Sequence, residues 1–434
     1  MVRAGRVLLV AALLPVILVG QPVVAATGGP VLTEFTLPTS SSWPTDLAAG
    51  PGATVWVTET SANKVAKVAV AGPGVTIQEF WAPTGNSQPD QIAVGPDGNM
   101  WFTPKNAQVV SKVTPAGSVT EYAWPSFNYP VDVATGSDGN LWVTGGTSDK
   151  VSRLTTSGTV TEFDLPAGST PIGIVNGPDG NLWVTEAGSS GVAKVTTAGT
   201  YTEYPLPTAA SQPRAIAVGP DGNLWVLEKV AGKVAKVTTG GEITEYSLPT
   251  VGSLPTAITA GPDGNLWVTE TTAGQLARVS TSGEITEYAL PVAGSQPYGI
   301  ATGADGNLWV AVPTRNSLWR VQVGATVSFA TAATAVQENV GTTNLVVTRT
   351  GDLPGSSTVH YARTGGECRR RERRHTACRG PGLRAGTGDP HHRGARGQRL
   401  RTRGPGDGRG DPEQSQRWHP DRVLGIRDPD HPRQ

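Results

Sequence analysis

Cysteine and histidine are scarce in this 434-residue chain and are confined to its C-terminal part. The two cysteines are Cys368 and Cys378, and the first histidine along the chain is His360. Residues 27–323 therefore contain no disulfide and no imidazole, the side chain that most often serves as a base near neutral pH. The absence of disulfides is no obstacle to folding, because a stretch of about 300 residues can bury an ample apolar core.

Long apolar runs are also rare, and the clearest one lies near the N-terminus. Val7 to Gly20 is mostly apolar and follows two basic residues, Arg3 and Arg6. This pattern, with small residues leading to Ala26, is typical of a secretory signal peptide, and the run is short for a membrane span. We expect residues 1–26 to be a signal peptide, with an uncleaved anchor as the alternative. The rest would be secreted or extracellular, without stable membrane insertion and with attachment to the cell surface left open.

Charge is unevenly distributed, although the formal net charge is zero. Residues 27–365 carry 16 Lys/Arg and 26 Asp/Glu, whereas residues 366–434 carry 17 Arg, no Lys and 9 acidic residues. Nucleic acids and anionic lipids attract basic surfaces, so the acidic body matches neither of them. We therefore expect no nucleic-acid partner.

A repeated phrase built around tryptophan fills most of the chain. The phrase Gly-Pro-Asp-Gly-Asn-Leu-Trp-Val occurs at 177–184, 219–226 and 261–268, and looser copies occur elsewhere. Seven tryptophans mark the copies at spacings of 45, 41, 41, 42, 42 and 42 residues: Trp56, Trp101, Trp142, Trp183, Trp225, Trp267 and Trp309. A period in the low forties, built of short strands, is typical of a β-propeller with one blade per repeat. The sequence thus predicts an all-β fold with a seven-bladed β-propeller over residues 27–323.

Each repeat contains four segments with strand character. In one copy, the apolar run 215–218 and the segment 224–226 flank a Gly-Pro-Asp-Gly-Asn turn, whose residues tolerate tight backbone conformations. Segments 233–237 and 242–246 alternate polar and apolar residues, as half-exposed strands do. We expect the tryptophans to form the blade cores, the aspartates of the phrase to shape the turns, and the glutamate of the outer strand to be exposed.

The outer-strand phrase predicts how the ring closes. It occurs once before the first tryptophan repeat, at 32–35, whereas the last repeat ends at Val321 with no such phrase after it. We therefore predict that residues 31–37 pair with residues 318–323. This pairing would complete the last blade and leave no long free sheet edge.

The C-terminal part of the chain differs in composition. Residues 326–365, with Thr326-Val327-Ser328-Phe329 and Leu345-Val346-Val347-Thr348, resemble the opening of a Calx-β domain, a partial β-sandwich that would bind Ca²⁺ only if it were intact. Residues 366–434 form a basic, low-complexity tail that we expect to be disordered. A polyanion-binding tail and an out-of-frame translation are both open, and the frameshift is favoured. When permissible codons are chosen for residues 407–434 and read in a shifted frame, they can encode an amino-acid sequence like the closing strands of such a domain.

The repeat resembles the streptogramin lyase (virginiamycin B lyase) family. The matching text is Pro-x-x-Ile, then Gly-Pro-Asp-Gly-Asn-Leu-Trp-Val-Thr-Glu, then Lys-Val-Ala-Lys-Val-Thr, and it covers about residues 31–323. The resemblance implies a ring-opening carbon–oxygen elimination on a cyclic depsipeptide antibiotic. It also implies a Mg²⁺ ion held by glutamates and a histidine base at the mouth of the ring. The family's histidines lie at the second residue of Pro-x-x-Ile, and glutamates lie before that proline and at the end of Trp-Val-Thr-Glu.

This chain departs from that pattern. None of the second residues is histidine: Thr45, Asp90, Val131, Ile172, Arg214, Thr256 and Tyr298. None of the residues before the prolines is glutamate, but four glutamates close the Trp-Val-Thr-Glu phrase or its variants: Glu59, Glu186, Glu228 and Glu270. We take Glu186, Glu228 and Glu270 as candidate metal ligands, with solvated rim residues or bridges to the next blade's backbone as the alternative. Arg214 and Tyr298 are candidates for ligand contact at the ring mouth, or they pack over the channel.

Three functions are therefore compared. The favoured one is a secreted binding module of lyase-like ancestry, a monomer whose ligand is a small molecule, a glycan or a protein bound at the propeller mouth. The second is an active Mg²⁺-dependent lyase of the virginiamycin B lyase type. A sugar-acid lactonase-like calcium propeller shares the ring, but no specific motif favours it. The missing histidines favour binding, and the remaining glutamates favour the enzyme.

Overall fold

The computed structural model describes residues 30–72, 74–124 and 130–323. The chain divides into two compact units, Met1–Gln322 and Val323–Gln434. Short strands are also found outside the described ranges, at Arg6–Leu8, Val16–Val19, Gln21–Val24, Thr326–Phe329, Asn344–Thr350, Thr358–Tyr361, Gln398–Arg401 and Arg422–Gly425. The predictions of a signal peptide over 1–26, a Calx-β-like segment over 326–365 and a disordered tail over 366–434 concern residues outside the described part.

The described residues form seven antiparallel sheets, which confirms the seven-bladed propeller. Each sheet has four described strands, in sequential order in six of the sheets, and we number the blades 1 to 7 along the chain. Blades 1 to 3 contain Pro44–Gly50, Thr54–Glu59, Lys64–Ala71 and Gly74–Trp81; then Pro89–Val94, Met100–Pro104, Val109–Val113 and Val119–Ala123; then Val133–Thr135, Leu141–Thr144, Lys150–Leu154 and Val160–Asp164. In each blade the first strand is innermost and the fourth is outermost.

Blades 4 to 6 repeat this order without change. They contain Pro171–Asn176, Leu182–Glu186, Gly191–Val195 and Tyr201–Pro205; then Pro213–Val218, Leu224–Glu228, Lys233–Val237 and Ile243–Ser247; then Pro255–Ala260, Leu266–Glu270, Gln275–Val279 and Ile285–Ala289. Two short 3₁₀ helices, Gly146–Ser148 and Pro313–Arg315, also lie in the described part of the chain. No helix among the described residues is long and apolar enough to cross a membrane.

Blade 7 is built from both ends of the ring. Its first three strands are Ile300–Thr302, Leu308–Val312 and Ser317–Gln322, and its outermost strand is Val31–Thr36. The pairing runs from Ser317 opposite Thr36 to Gln322 opposite Val31. The predicted ring closure is therefore confirmed, and the third strand of blade 7 is not left as an open edge.

The repeated tryptophans lie in the cores of the blades, as predicted. Each is almost completely buried and stacks on the aromatic residue of its own blade's outermost strand at 5.3–5.9 Å between ring centroids. Stacked aromatic pairs of this kind add about 0.5–1.5 kcal/mol to the gain from burial. The alternation of polar and apolar residues in the outermost strand therefore places its Phe or Tyr on the inner side, where it packs on the tryptophan.

The turn aspartates shape their turns and also hold the tryptophans. In blade 5, Asp221 Oδ1 accepts hydrogen bonds from the backbone N–H of Asn223 at 3.2 Å and from Nε1 of Trp225 at 3.1 Å. Blade 1 has no aspartate at this point, and the buried Nε1 of Trp56 has no hydrogen-bond partner among the described residues. The aspartate therefore satisfies an indole donor that the blade core would otherwise leave unpaired.

The prediction that the outer-strand glutamates are exposed is wrong for most blades. Glu79 is only 2% exposed, because its carboxylate accepts hydrogen bonds from the backbone N–H and the hydroxyl of Thr39. Glu245 binds Thr208 in the same way and pairs with Lys233 at 2.6 Å. These threonines lie on the segment that enters each blade from the one before. The glutamates thus fasten the connections between blades, which the alternation of one strand could not reveal.

Candidate functional site

The innermost strands surround a central cavity of about 200 Å³. Its wall includes the second residue of every Pro-x-x-Ile segment: Thr45, Asp90, Val131, Ile172, Arg214, Thr256 and Tyr298. In blades 1, 4, 5 and 6 the strand pairing shifts register just after the proline, so that the next two residues leave the ladder. Such irregularities redirect side chains at the rims of barrels and rings, and here they present these residues to the cavity.

A set of threonine hydroxyls fixes the backbone of the cavity wall. In five blades the threonine near the end of the second strand donates to the carbonyl of the cavity residue in the next blade. The distances are 2.6–2.8 Å for Thr58 to Asp90, Thr103 to Val131, Thr144 to Ile172, Thr185 to Arg214 and Thr269 to Tyr298. The cavity residues are thus held by neighbouring blades, which preorganises the wall before any ligand binds.

Neighbouring blades approach each other closely at this level. Gly173, which precedes Ile174 in blade 4, lies so near blade 5 that a Cβ atom there would be 2.3 Å from the carbonyl oxygen of Arg214. Only glycine fits such a close approach of two backbones. The position of Arg214 is therefore fixed by the backbone of blade 4 and by Thr185.

One side of the cavity is acidic. The Oδ2 atoms of Asp46 and Asp132 each accept a hydrogen bond at 3.0 Å from a backbone N–H of the next blade, donated by Ile92 and Ile174. Enclosure by the ring raises the pKa of Asp46 to about 8 and that of Asp132 to about 7, because the charged forms are poorly solvated there; the backbone donors oppose these shifts. The described cavity therefore contains two carboxyls that titrate near neutral pH.

The third acidic residue of the cavity is neutralised locally. Asp90 forms an ion pair at 2.9 Å with Lys105, which follows the second strand of the same blade. The carboxylate is 8% exposed and the lysine is 41% exposed, so the pair lies at the edge of the cavity where the ammonium still meets water. This arrangement compensates the charge of Asp90 without involving the opposite wall.

Arg214 and Tyr298, the two predicted ligand-contact residues, are brought together. Arg214 Nη2 donates a long hydrogen bond of 3.4 Å to the hydroxyl of Tyr298, across blade 6. Both side chains line the cavity. A guanidinium has five donors, and within the described residues this is its single side-chain hydrogen bond, so Arg214 keeps donors available for a ligand.

The three predicted metal ligands lie elsewhere. Glu186, Glu228 and Glu270 are completely buried at the ends of the second strands of three different blades, and none of them lines the cavity. Glu186 accepts a hydrogen bond from Tyr201 at 3.0 Å, and Glu270 accepts one from Gln275 at 2.8 Å. They are buried residues of the blades rather than the solvated rim residues of the alternative interpretation.

Burial also perturbs these glutamates. It raises the pKa of Glu186 and of Glu228 to about 7 and that of Glu59 to about 8, because desolvation disfavours the charged carboxylate. The pKa of Glu270 is raised for the same reason. No three His, Cys, Asp or Glu side chains in the described ranges come together as metal ligands. The residues present therefore do not fit a Mg²⁺ ion shared by the three glutamates, and no chemistry is assigned to such an ion.

Sequence reasoning missed Asp46, Asp132 and Lys229, the residue that follows Glu228. The sequence did contain a signal for these residues. The third residue of Pro-x-x-Ile and the residue after the second strand vary between repeats, whereas the scaffold residues around them do not. Lys229 is half-buried, and its pKa is lowered by burial and by the charge of Arg214. The third residues of Pro-x-x-Ile all line the cavity, and Lys229 is close enough to the cavity residue Arg214 for the two charges to interact.

The fold and site define a seven-bladed propeller with a polar central cavity. The model of the virginiamycin B lyase family matches residues 24–226 and 167–345, and the chain belongs to this family. A streptogramin B lyase structure is 35% identical, covering 68% of this chain and 98% of that chain with a TM-score of 0.64. No curated protein matches the chain.

Virginiamycin B lyase from Staphylococcus aureus is also similar. Its selenomethionine-substituted structure is 31% identical and covers 67% of this chain and 99% of that chain, with a TM-score of 0.64. A catalytically inactive histidine-to-alanine variant, whose structure includes quinupristin, matches with the same identity, coverage and TM-score. The similarity in each case spans nearly the whole relative.

Proposed function

We propose that this protein is a binding member of the virginiamycin B lyase family, which holds a small polar ligand in its central cavity and does not perform histidine-dependent elimination. The observation that carries the proposal is the absence of histidine from residues 30–323, which include the whole described cavity wall. In the relative from Staphylococcus aureus, a histidine-to-alanine variant is catalytically inactive. This chain has no imidazole in its ring to serve as that base.

The cavity itself supports a binding role. Its wall is mainly polar, with acidic, basic and hydroxyl side chains among apolar ones, and the threonine hydroxyls and close blade contacts hold the wall in place. Ligand sites are commonly preformed concavities of this kind, in which a few placed polar groups decide orientation and specificity. A cavity of about 200 Å³ suits a small molecule, or one group of a larger ligand that extends out of the mouth.

The proposal places this function outside the cell. The extracellular location is inferred from the sequence alone. It is supported by the signal peptide expected at residues 1–26 and by the Calx-β-like segment at 326–365, which resembles a module of extracellular proteins. We propose a monomer, because the ring closes on itself and uses its own N-terminal strand to cover the last blade. Calcium would be relevant only to an intact second domain.

A specific observation favours a second candidate, a lyase that uses a carboxylate base. Asp132 faces the cavity with a pKa of about 7, near the value that suits a general base at neutral pH. Against it, Oδ1 and Oδ2 of Asp132 each accept a backbone N–H, at 2.7 Å from Val133 and 3.0 Å from Ile174. These bonds hold the carboxylate in place as a connection between blades 3 and 4.

The test is incubation of the purified full chain with quinupristin, with and without magnesium, followed by chromatography and mass spectrometry. Elimination leaves the mass unchanged, so a shifted retention time with the fragmentation pattern of a linear product is the signal. We expect intact cyclic compound at high protein concentration. Linear product that disappears in Asp132→Asn would establish the second candidate and refute the binding proposal.

A further inference from the structure

Each blade has a pair of residues, one lining the cavity and one following the second strand, which we call the mouth pair. Its members are 15 residues apart: the second residue of Pro-x-x-Ile and the residue that follows the second strand, or in blade 3 the second residue after that strand. The seven mouth pairs are Thr45/Thr60, Asp90/Lys105, Val131/Gly146, Ile172/Ala187, Arg214/Lys229, Thr256/Thr271 and Tyr298/Pro313. Because the blades repeat the same geometry, we expect the two members of a pair to lie close together in every blade.

Direct contacts show this proximity in several blades. The hydroxyls of Thr45 and Thr60 are hydrogen-bonded, and those of Thr256 and Thr271 lie 2.5 Å apart. In blade 2 the pair is the 2.9 Å ion pair of Asp90 with Lys105. The mouth pairs outside blade 5 are thus hydroxyl with hydroxyl, acid with base, or combinations without charge.

Blade 5 is the exception, because its mouth pair consists of two cations. Arg214 and Lys229 are both half-buried, and the charge of Arg214 together with burial lowers the pKa of Lys229. Like charges on facing positions of neighbouring strands destabilise a sheet. The pair is the more unusual because residues 27–365 carry 16 Lys/Arg against 26 Asp/Glu, so cations are the minority.

Acidic residues near blade 5 do not neutralise the pair. Neither cation lies in an ion pair within 4.0 Å of a carboxylate in the described part of the chain. Glu228 precedes Lys229, but its carboxylate is buried inside the blade, where Glu245 and Lys233 act on it. The charge of Arg214 acts on Asp132 at longer range and opposes the rise in its pKa. The two carboxylate oxygens of Asp132 accept hydrogen bonds from backbone N–H groups and form no ion pair with Arg214.

We infer that Arg214 and Lys229, with the hydroxyl of Tyr298, form an oxyanion site that binds a carboxylate or phosphate group of the cavity ligand. A guanidinium offers two parallel donors to such a group, and an ammonium adds a compact charge. Tyr298 lies 3.4 Å from Arg214 and can donate its hydroxyl proton to the same anion. The inference rests on the proposed function only in taking the central cavity as the ligand site.

The experiment compares the full chain with three variants: Arg214→Gln, Lys229→Gln and the matched control Lys105→Gln. The control removes the lysine of a mouth pair that already contains an acid. Inorganic phosphate and acetate are titrated separately into each protein at low ionic strength by calorimetry. We expect one site whose affinity falls about 10- to 100-fold in Arg214→Gln and Lys229→Gln, because each removes a charge-assisted contact, and falls far less in Lys105→Gln, whose lysine pairs with Asp90 and does not contact the anion.

Thermal unfolding in buffer free of both anions provides a second readout. Lys229→Gln removes the repulsion and is expected to unfold at a higher temperature than the unmodified protein, whereas Lys105→Gln gains nothing because it breaks an ion pair. Added phosphate or acetate should raise the unfolding temperature of the unmodified protein and of Lys105→Gln more than that of Lys229→Gln. A variant that only disturbed the fold would instead lower its own unfolding temperature.

The outcomes separate this inference from the proposed function. Equal anion affinity in all four proteins, or no saturable binding, would overturn the oxyanion site even if quinupristin stays intact. Conversion of quinupristin together with anion binding that depends on Lys229 would overturn the binding-only function and leave the site standing. Tighter binding of phosphate than of acetate would identify a phosphorylated ligand, and the reverse would identify a carboxylate.

Discussion

Replacing Thr185 with valine should destabilise the ring and leave the shape of the residue almost unchanged. Its hydroxyl accepts a hydrogen bond from the backbone N–H of Gly173 at 2.8 Å and donates one to the carbonyl of Arg214 at 2.8 Å. Leaving a buried backbone group unpaired costs about 1–3 kcal/mol. We expect a loss of about 2–4 kcal/mol in the free energy of unfolding, because the N–H is buried and the carbonyl is partly buried.

The matched control is Thr202→Val in the outermost strand of the same blade. Thr202 is exposed, and an exposed substitution of this kind changes stability by about 0.5 kcal/mol or less. Urea unfolding followed by tryptophan fluorescence gives the midpoint and slope for both variants. Equal midpoints for Thr185→Val and Thr202→Val would refute the conclusion that the threonine hydroxyls hold the cavity wall.

Two further predictions concern closure and pH. Phe35→Ala should cost about 3–5 kcal/mol, because Phe35 is 1% exposed and stacks on Trp309 at 5.6 Å in the closing blade; calorimetric unfolding at an unchanged temperature would contradict this. Stability should also fall between about pH 5 and 8, because a carboxyl with a raised pKa, such as Glu59 at about 8, binds its proton more tightly when folded. That stabilisation is complete below the unfolded pKa of about 4.3 and is lost as the pH rises through 8, so Glu59→Gln should flatten the profile of unfolding temperature against pH.

The scaffold could be predicted from the sequence because seven copies of one phrase average out local ambiguity. The spacing of the tryptophans determined the number of blades, and one extra outer-strand phrase before Trp56 indicated the closure through residues 31–37. The outer-strand glutamates were misjudged, because Glu79 is covered by a connection from a different blade. Alternation within one strand assigns a side chain to a face, and it contains no information about what covers that face.

The site could be predicted only in part. Arg214 and Tyr298 were identified because both occupy the same repeat position, but their contact joins blades 5 and 7 across a third blade. Asp46, Asp132 and Lys229 went unrecognised because each matters only through residues far away in sequence. Glu186, Glu228 and Glu270 occupy equivalent repeat positions, yet equivalence around a ring places them in separate blades rather than around one ion.

The closing strand has a consequence for the order of folding. Val31–Thr36 is synthesised first among the described strands of the ring, yet its partner strand ends at Gln322. Bringing together segments so distant in sequence is slow, because the chain must lose the entropy of nearly the whole loop before the contact forms. A partly formed ring would therefore expose two complementary edges, the third strand of blade 7 and the free first strand. The same pairing between two such molecules would give a domain-swapped dimer. Dilution should therefore favour the closed monomeric ring, and high protein concentration should favour the swapped dimer.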